Sequence, residues 1–180
     1  DSVLYDNVDV PSDGRFIAAA KVRDNLNGTW TYDYAGFNHN SHRSGGSFSV
    51  PIPPNTTVTN IGFHDVDYHS GEPYANADWV VSQPGGAIMW SSPETFAQNP
   101  NTNALRWGTM YNFWFTANRA PGDVQINLGL FRTGTPTSMT YTASGPILQC
   151  VEDIVGNAMV DIDDLVAVIT SWGLCAHGSP

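Results

Sequence analysis

The sequence predicts a mainly β protein, an antiparallel β-sandwich of about ten strands followed by a small C-terminal loop-helix appendage. Short runs rich in Val, Ile, Thr and aromatic residues recur between turns that contain Gly, Pro and Asn. That pattern is typical of an antiparallel sandwich. From residue 161 onward the apolar residues follow a helical period instead. We therefore assign residues 1–149 to the sandwich and residues 150–180 to the appendage.

The predicted strands, in chain order, are SVLYDNVDV, RFIAAAKVRD, TWTYDYAGF, SFSVPI, TTVTNIGFHDVDYH, ADWVVSQ, GAIMWSS, LRWGTMYNFWFTAN, DVQINLGLFRTG and SMTYTAS. Segments such as PSDG, NLNG and APGD separate them, because Gly supplies positive φ and Pro presets φ for a turn. In this part of the chain only SSPETFAQ indicates a helical turn. The run LRWGTMYNFWF is apolar on nearly both faces, which predicts an interior strand.

The charge and the cysteines limit the possible partners and compartments. The chain has 17 acidic and 7 basic residues and a net charge of −10, so it repels nucleic-acid phosphates and anionic lipids. No apolar run approaches the roughly 18 residues of a membrane span. The strand-like start at Asp1 predicts a mature end left by signal-peptide removal. Two cysteines fit an oxidising compartment, so we expect an extracellular or cell-surface protein.

The appendage combines a short helix with a loop that compares with a calcium site. The helix is predicted from one apolar stripe: Ile162, Leu165, Val166, Ile169 and Trp172. Asp161 is the expected N-cap, and Gly173 marks the expected end. Oxygen ligands suit Ca²⁺ at alternating positions of a twelve-residue loop. The predicted calcium ligands are Asp153, Asn157, the carbonyl of Met159, Asp161 and Asp164.

The tail resembles a known family. The segment from Asp153 to Leu165, followed by SWGLC, is similar to the dockerin-type repeat of GC-type dockerin domain-anchored proteins, which are secreted bacterial proteins. Val155 and Ala158 stand where that repeat usually has Asp and Gly. The stretches FHDVDYHSGEPYANADW, NALRWGTMYNFWF and LGLFRTGTP look like parts of the β-rich domain attached to such tails. The resemblance implies secretion and, through the tail, a cohesin-like partner and calcium as the possible cofactor.

The two cysteines bracket this tail. A bridge between Cys150 and Cys175 would close a loop of about 26 residues. In the chain-entropy model such a bridge is worth ~3.5 kcal/mol. The disulfide is thus predicted to clamp the appendage, in place of calcium or beside it.

Other polar groups yield weaker hypotheses. Asp65, Asp67 and His69 are expected on one strand face as a second metal candidate, although a solvated polar face explains them equally well. Asn27 and Asn55 satisfy the N-glycosylation pattern beside turns. The glutamates are well separated, and the sequence lacks the nucleophile and phosphate-binding motifs of common enzymes. We therefore expect a non-enzymatic protein with no catalytic residues.

Three functions remain open at this point. The first is a structural subunit of the cell surface or extracellular matrix that assembles with itself, with a filament as one form of assembly. The second is a carbohydrate-binding module for polysaccharide, with Trp30, Tyr32 and Tyr34 as an aromatic row on one strand face; a core face explains the same row. The third is a domain anchored to a partner through the dockerin-like tail.

Overall fold

The computed structural model describes residues 3–148 and 161–171. These residues form ten strands and one helix: β1 (Leu4–Val10), β2 (Gly14–Asp24), β3 (Trp30–Asn38), β4 (Gly45–Pro51), β5 (Val58–His64), β6 (Val80–Ser82), β7 (Ala87–Ser91), β8 (Met110–Ala117), β9 (Pro121–Leu130), β10 (Ser138–Pro146) and α1 (Ile162–Ser171). The predicted class, mainly β with about ten strands and a C-terminal helix, is confirmed.

The strands make two five-stranded antiparallel sheets. Sheet A has the order β1-β2-β3-β8-β5, and sheet B has the order β10-β9-β4-β7-β6. Strand β8 bonds to β3 on one side and to β5 on the other, so its predicted interior position is confirmed. Each sheet keeps two outer strands, which are β1 and β5 in sheet A and β10 and β6 in sheet B.

Aromatic side chains fill the space between the sheets. In β8 the inward residues Tyr111, Phe113 and Phe115 are buried, because successive side chains of a strand point to opposite faces. The ring of Phe113 stacks on that of Phe48 in sheet B, with centroids 4.3 Å apart. The centroid of the Phe113 ring also lies 5.4 Å from that of the Trp90 ring. Phe113 is therefore at the centre of the core.

Strand β5 deviates from regular pairing where it meets β8. The register shifts between Thr59 and Gly62, and Asn60 has φ of 49°. A Cβ atom at Gly62 would collide with the indole of Trp114. Glycine is required here because the backbone of β5 lies directly against that ring.

Two long connections pack on each other. One joins β5 to β6 and the other joins β7 to β8. Ala75 donates its amide to the carbonyl of Asn101 at 2.9 Å. Asn103 donates its side-chain amide to the carbonyl of Ala77 at 2.9 Å, and Trp79 donates its indole N–H to the carbonyl of Asn103 at 3.0 Å. These bonds give both connections a fixed conformation without secondary structure of their own.

Two predicted strands are shorter than expected. Strand β8 begins at Met110 rather than at Leu105, and Trp107 is 69% exposed in the turn before it. Strand β5 ends at His64 rather than continuing to His69. Beyond His64, the side chain of Asn76 accepts from the amide of Tyr68 at 2.8 Å and donates to its carbonyl at 2.9 Å. These backbone groups are therefore not available for hydrogen bonds to a neighbouring strand.

The chain divides into two compact units, Asp1–Ile147 and Leu148–Pro180. In the second unit α1 starts as predicted. Asp161 accepts a hydrogen bond from the amide of Asp163 at 2.8 Å, which confirms it as the N-cap. The carboxylate of Asp164 in turn accepts the amide of Asp161 at 2.9 Å, so the two residues form a capping box.

The central position of Phe113 predicts a large loss of stability when its ring is removed. Phe113→Ala should lower the free energy of unfolding by about 3–5 kcal/mol, because the cavity lies between rigid rings that cannot close it. Urea unfolding measures this change. The control Trp107→Ala removes a larger but exposed ring and should stay within about 0.5 kcal/mol of the wild type. Similar losses for both variants would contradict this description of the core.

Candidate functional site

A seam separates β1 from β10, which are outer strands of different sheets. A groove of about 270 Å³ lies along this seam. Its lining includes Ala18 and Ala20 from β2 and Ala143 from β10. Because these side chains are small, they leave a space that larger residues would fill in a closed sandwich.

A buried tyrosine lines the groove with an unused hydroxyl group. The Tyr141 hydroxyl has no hydrogen-bond partner among the residues that the structure describes, although the side chain is 93% removed from solvent (7% exposed). Burial raises the pKa of Tyr141, and the carboxylate of Asp6 nearby adds to this effect. Tyr34 reaches the seam from sheet A and donates its hydroxyl to the carbonyl of Ser144 at 2.9 Å. Tyr34 thus makes a hydrogen bond across the seam, while the hydroxyl of Tyr141 has no partner among the described residues.

Strand β1 borders the groove with a free edge. Tyr5 is 76% exposed and Leu4 is also exposed. The amide of Asn7 donates to the side chain of Asp6 at 2.8 Å rather than to β2. Because alternate residues of an antiparallel strand direct their amides to the same side, the amide of Tyr5 also points away from β2. The beginning of β1 therefore presents apolar side chains and backbone donors together.

The predicted aromatic row does not form a binding platform. Trp30, Tyr32 and Tyr34 do share one face of β3, but that face is the inner one, and Tyr32 and Tyr34 are buried in the core. Tyr32 donates its hydroxyl to the carbonyl of Arg119 at 2.7 Å. Trp30 is partly buried and packs against the same core. Burial against sheet B therefore excludes Tyr32 and Tyr34 as ligand-stacking residues.

The second metal candidate is not assembled as expected. Asp65, Asp67 and His69 follow β5 instead of sharing a strand face. The carboxylate of Asp65 accepts a hydrogen bond from Asn103, while His69 Nδ1 contacts the hydroxyl of Ser70 at 2.9 Å. Across residues 3–148 and 161–171, no three His, Cys, Asp or Glu side chains are grouped so as to hold a metal ion.

Asp65 belongs to a polar cluster between the two long connections. Asn103 is fully buried and bonds to Asp65 with its amide nitrogen. Its side-chain oxygen accepts the hydroxyl of Tyr111 at 2.5 Å. Burial raises the pKa of Asp65; the hydrogen bond from Asn103 opposes this shift, and the carboxylates of Asp78 and Asp67 support it. The cluster fixes Asp65 in the loop after β5, whereas Asp67 and His69 are exposed to solvent.

A buried arginine holds the same connections and was not predicted from the sequence. Arg106 is 5% exposed. It donates Nη2 to the carbonyls of Pro100 and Thr102, both at 2.8 Å. Its guanidinium lies 3.9 Å from the ring centroid of Tyr74, so a cation–π contact joins the two connections. Burial lowers the pKa of Arg106. No short sequence pattern signals this role, because Tyr74 is distant in the chain.

The tail candidates lie partly outside the described residues. Asp153, Asn157, Met159, Cys150 and Cys175 are among the residues that the structure does not describe, so calcium binding and the disulfide remain predictions. Asp161 and Asp164 are described, and each uses a carboxylate oxygen in capping α1. The predicted apolar stripe of α1 is exposed at four described positions: Ile162, Leu165, Val166 and Ile169.

Both glycosylation candidates lie in exposed turns. Asn27 is in the β2–β3 turn, where its side-chain oxygen accepts the amide and the hydroxyl of Thr29 at 3.1 and 2.7 Å. Asn55 is in the β4–β5 connection with φ of 57°. Both side chains are accessible. Whether they carry glycans remains a prediction.

No family model matches the chain, and no curated protein matches it significantly. Within the described part of the chain, no helix is long and apolar enough to cross a membrane.

The raised pKa of Asp65 predicts a specific dependence of stability on pH. The unfolded carboxyl, with a pKa of about 3.9, loses its proton before the folded one as pH rises. The folded state then binds more protons, so the free energy of unfolding falls with rising pH from about 4 up to the folded pKa. Asp65→Asn should remove this part of the decline while keeping an oxygen that accepts from Asn103. Urea unfolding at a series of pH values measures it.

The matched control for this experiment is Asp67→Asn. It removes an equal charge from the same loop and should retain most of the decline, because burial is the main cause of the raised pKa of Asp65 and the carboxylate of Asp67 is a lesser one. Parallel curves for the wild type and Asp65→Asn would show that burial of Asp65 is not linked to stability.

Proposed function

We propose that this chain is a secreted, non-enzymatic structural subunit of the cell surface or extracellular matrix, and that its copies assemble by adding a strand at the edge of β1. The observation that carries the proposal is the free edge itself. Tyr5 and Leu4 are exposed there beside a groove that an incoming side chain can fill. Strand addition uses such an edge for backbone hydrogen bonds and such a groove for specificity.

Strands β5 and β6 are less suited to strand addition. Strand β6 has only three residues, from Val80 to Ser82. Strand β5 carries a register shift between Thr59 and Gly62. Short strands and bulges are devices that prevent pairing at an edge. Within sheet A, β1 pairs with β2 without a register shift over all seven of its residues, so it offers the longer regular edge.

One feature of β1 limits unspecific pairing. Asp6 lies at an inward-facing position, and its carboxylate accepts the amide of Asn7. An incoming strand has to displace this bond and accommodate the charge. Inward-pointing charges on edge strands protect many monomeric proteins from aggregation. The same group makes assembly selective, because a partner that offers a hydrogen-bond donor to Asp6 is favoured over one that does not.

The proposed location agrees with the composition. The net charge of −10 keeps free subunits soluble outside the cell and repels nucleic acids. The polar groups of the two long connections make structural hydrogen bonds, such as those of Asn103 and Arg106. A scaffold role accounts for these features with no further assumption.

Assembly should depend on the side chain at position 5. Tyr5→Lys places a charge on the edge strand and should lower the assembled fraction at least about tenfold, because lysine on an edge strand opposes pairing. Light scattering and negative-stain microscopy of micromolar protein measure assembly. Leu26→Lys is the matched control, since Leu26 is 90% exposed in the β2–β3 turn, beyond the residues of β2 that pair with β1. A wild type that stays monomeric would refute the proposal.

A second candidate function is anchoring through the tail. The exposed apolar stripe of α1 favours it, because a stripe that includes Leu165 and Ile169 suits a partner groove. The resemblance to dockerin repeats suggests a cohesin-like protein as that partner, with calcium holding the loop before α1. Asp161, which belongs to the predicted ligand set, lies at the start of α1, where its carboxylate accepts the amide of Asp163.

Calcium should bind the tail if this candidate is correct. Calorimetry should show saturable heat with Ca²⁺, and a chelator should lower the unfolding midpoint. Asp161→Asn keeps an N-cap oxygen but removes charge, so Ca²⁺ affinity should fall at least about fivefold. Asp163→Asn is the control, because it removes the same charge from the same helical turn at a position outside the predicted ligand set. Absence of heat together with an unchanged midpoint would exclude calcium-dependent anchoring.

A further inference from the structure

A separate concave site lies on sheet B, beside the segment 92–99 that follows β7. Its volume is about 310 Å³, which is at the small end of ligand-binding pockets. Its lining includes Gly46 and Ser47 of β4, Ser91 of β7, and Phe96 of the following segment. The site belongs to sheet B, whereas the edge strand β1 belongs to sheet A.

Two polar side chains at this site are held in place by their neighbours. Gln98 uses its side-chain oxygen to accept the amide and the hydroxyl of Thr95 at 3.0 and 2.8 Å. Its Nε2 has no partner among the described residues and remains a donor. Glu94 uses Oε2 to accept from Asn99 at 2.7 Å, which leaves Oε1 as an acceptor. In each side chain one terminal atom is held by a hydrogen bond, and the other terminal atom is available to a ligand. Because the side chain is already oriented, it loses less conformational entropy on binding.

The rest of the lining is uncharged and in part aromatic. The hydroxyls of Ser47 and Ser91 make no hydrogen bond to any described residue. Phe96 is half-buried and meets Phe131 edge to face, with centroids 5.5 Å apart. The guanidinium of Arg132 lies 5.0 Å from the ring centroid of Phe96 and fixes it from another side. The site therefore offers a fixed ring together with donors and acceptors of hydrogen bonds.

Uncharged polar residues continue from the site across the outer face of sheet B. Ser47 pairs with Gly129, and Gly129 pairs with Ser138 of β10. The next outward row joins Ser49 and Asn127 to Thr140, and Asn127 donates to the hydroxyl of Ser138 at 3.2 Å. A ligand longer than the pocket thus meets further hydroxyl and amide groups along the sheet.

We propose that this site binds an uncharged oligosaccharide. A sugar carries hydroxyls that can accept from Gln98 and donate to Glu94, and its C–H face packs on an aromatic ring such as Phe96. The carboxylate of Glu94 is the charged group in the lining and disfavours acidic sugars. The row of polar residues beside the pocket suits a chain of several sugar units. This function goes beyond assembly at β1 and does not depend on it.

The experiment is calorimetric titration of the full chain with cellohexaose, xylohexaose, mannohexaose and chitohexaose. At least one of these probes should give saturable heat. Gln98→Glu keeps the oxygen that Thr95 needs but replaces the free donor by an acceptor, and Glu94→Gln makes the opposite exchange. Each should weaken binding at least about tenfold.

Gln83→Glu is the matched control, because Gln83 is exposed near the opposite end of β7 and makes no hydrogen bond with the described residues. It should bind as the wild type does. Thermal unfolding verifies that each variant is folded; if Gln98→Glu is destabilised, Glu94→Gln and Ser47→Ala decide the question. No saturable heat with any of the four probes, or unchanged affinity in the folded variants, would overturn the proposal.

Discussion

The stacking of aromatic rings between the two sheets is the interaction on which the rest of the structure depends. Phe113 of sheet A stacks on Phe48 of sheet B at 4.3 Å, and Tyr34 lies 5.5 Å from the same Phe48 ring. Large rings bury much apolar area and pack in few orientations. They hold the sheets in one relative position, and the outer strands, the seam and both outer faces are consequences of that position. The apolar core therefore determines where the polar groups of the seam and of the outer faces lie.

The buried tyrosines link this core to the sites. Each inserts its ring between the sheets and uses its hydroxyl on backbone or side-chain groups at the periphery. Tyr34 bonds to Ser144 at the seam, Tyr32 bonds to Arg119, and Tyr111 bonds to Asn103 between the long connections. A phenylalanine would fill the same space but leave these groups without a donor. Tyr141 departs from this pattern, because its buried hydroxyl has no described partner; it lies in the groove along the seam between β1 and β10.

The sequence predicted the strands well because alternation is a local property, and it predicted the sites poorly because they depend on distant residues. The run TWTYDY placed Trp30, Tyr32 and Tyr34 on one face correctly. Only the pairing of β3 with β2 and β8 decides that this face is the inner one. Asp65 was expected on a strand, since FHDVDYH continues the alternation, but Asn103 and Asn76 stop the ladder there. Contacts of this kind leave no periodic signal.

The two proposals are compatible because they use different sheets. A strand added at β1 extends sheet A in its own plane, so the outer face of sheet B stays in contact with solvent. Every subunit of an assembly would then present its own site around Gln98 and Phe96. Weak binding of a single oligosaccharide would become strong when a polysaccharide spans several subunits, since each further contact is intramolecular. On this argument assembly supplies the avidity that a shallow pocket of about 310 Å³ lacks by itself.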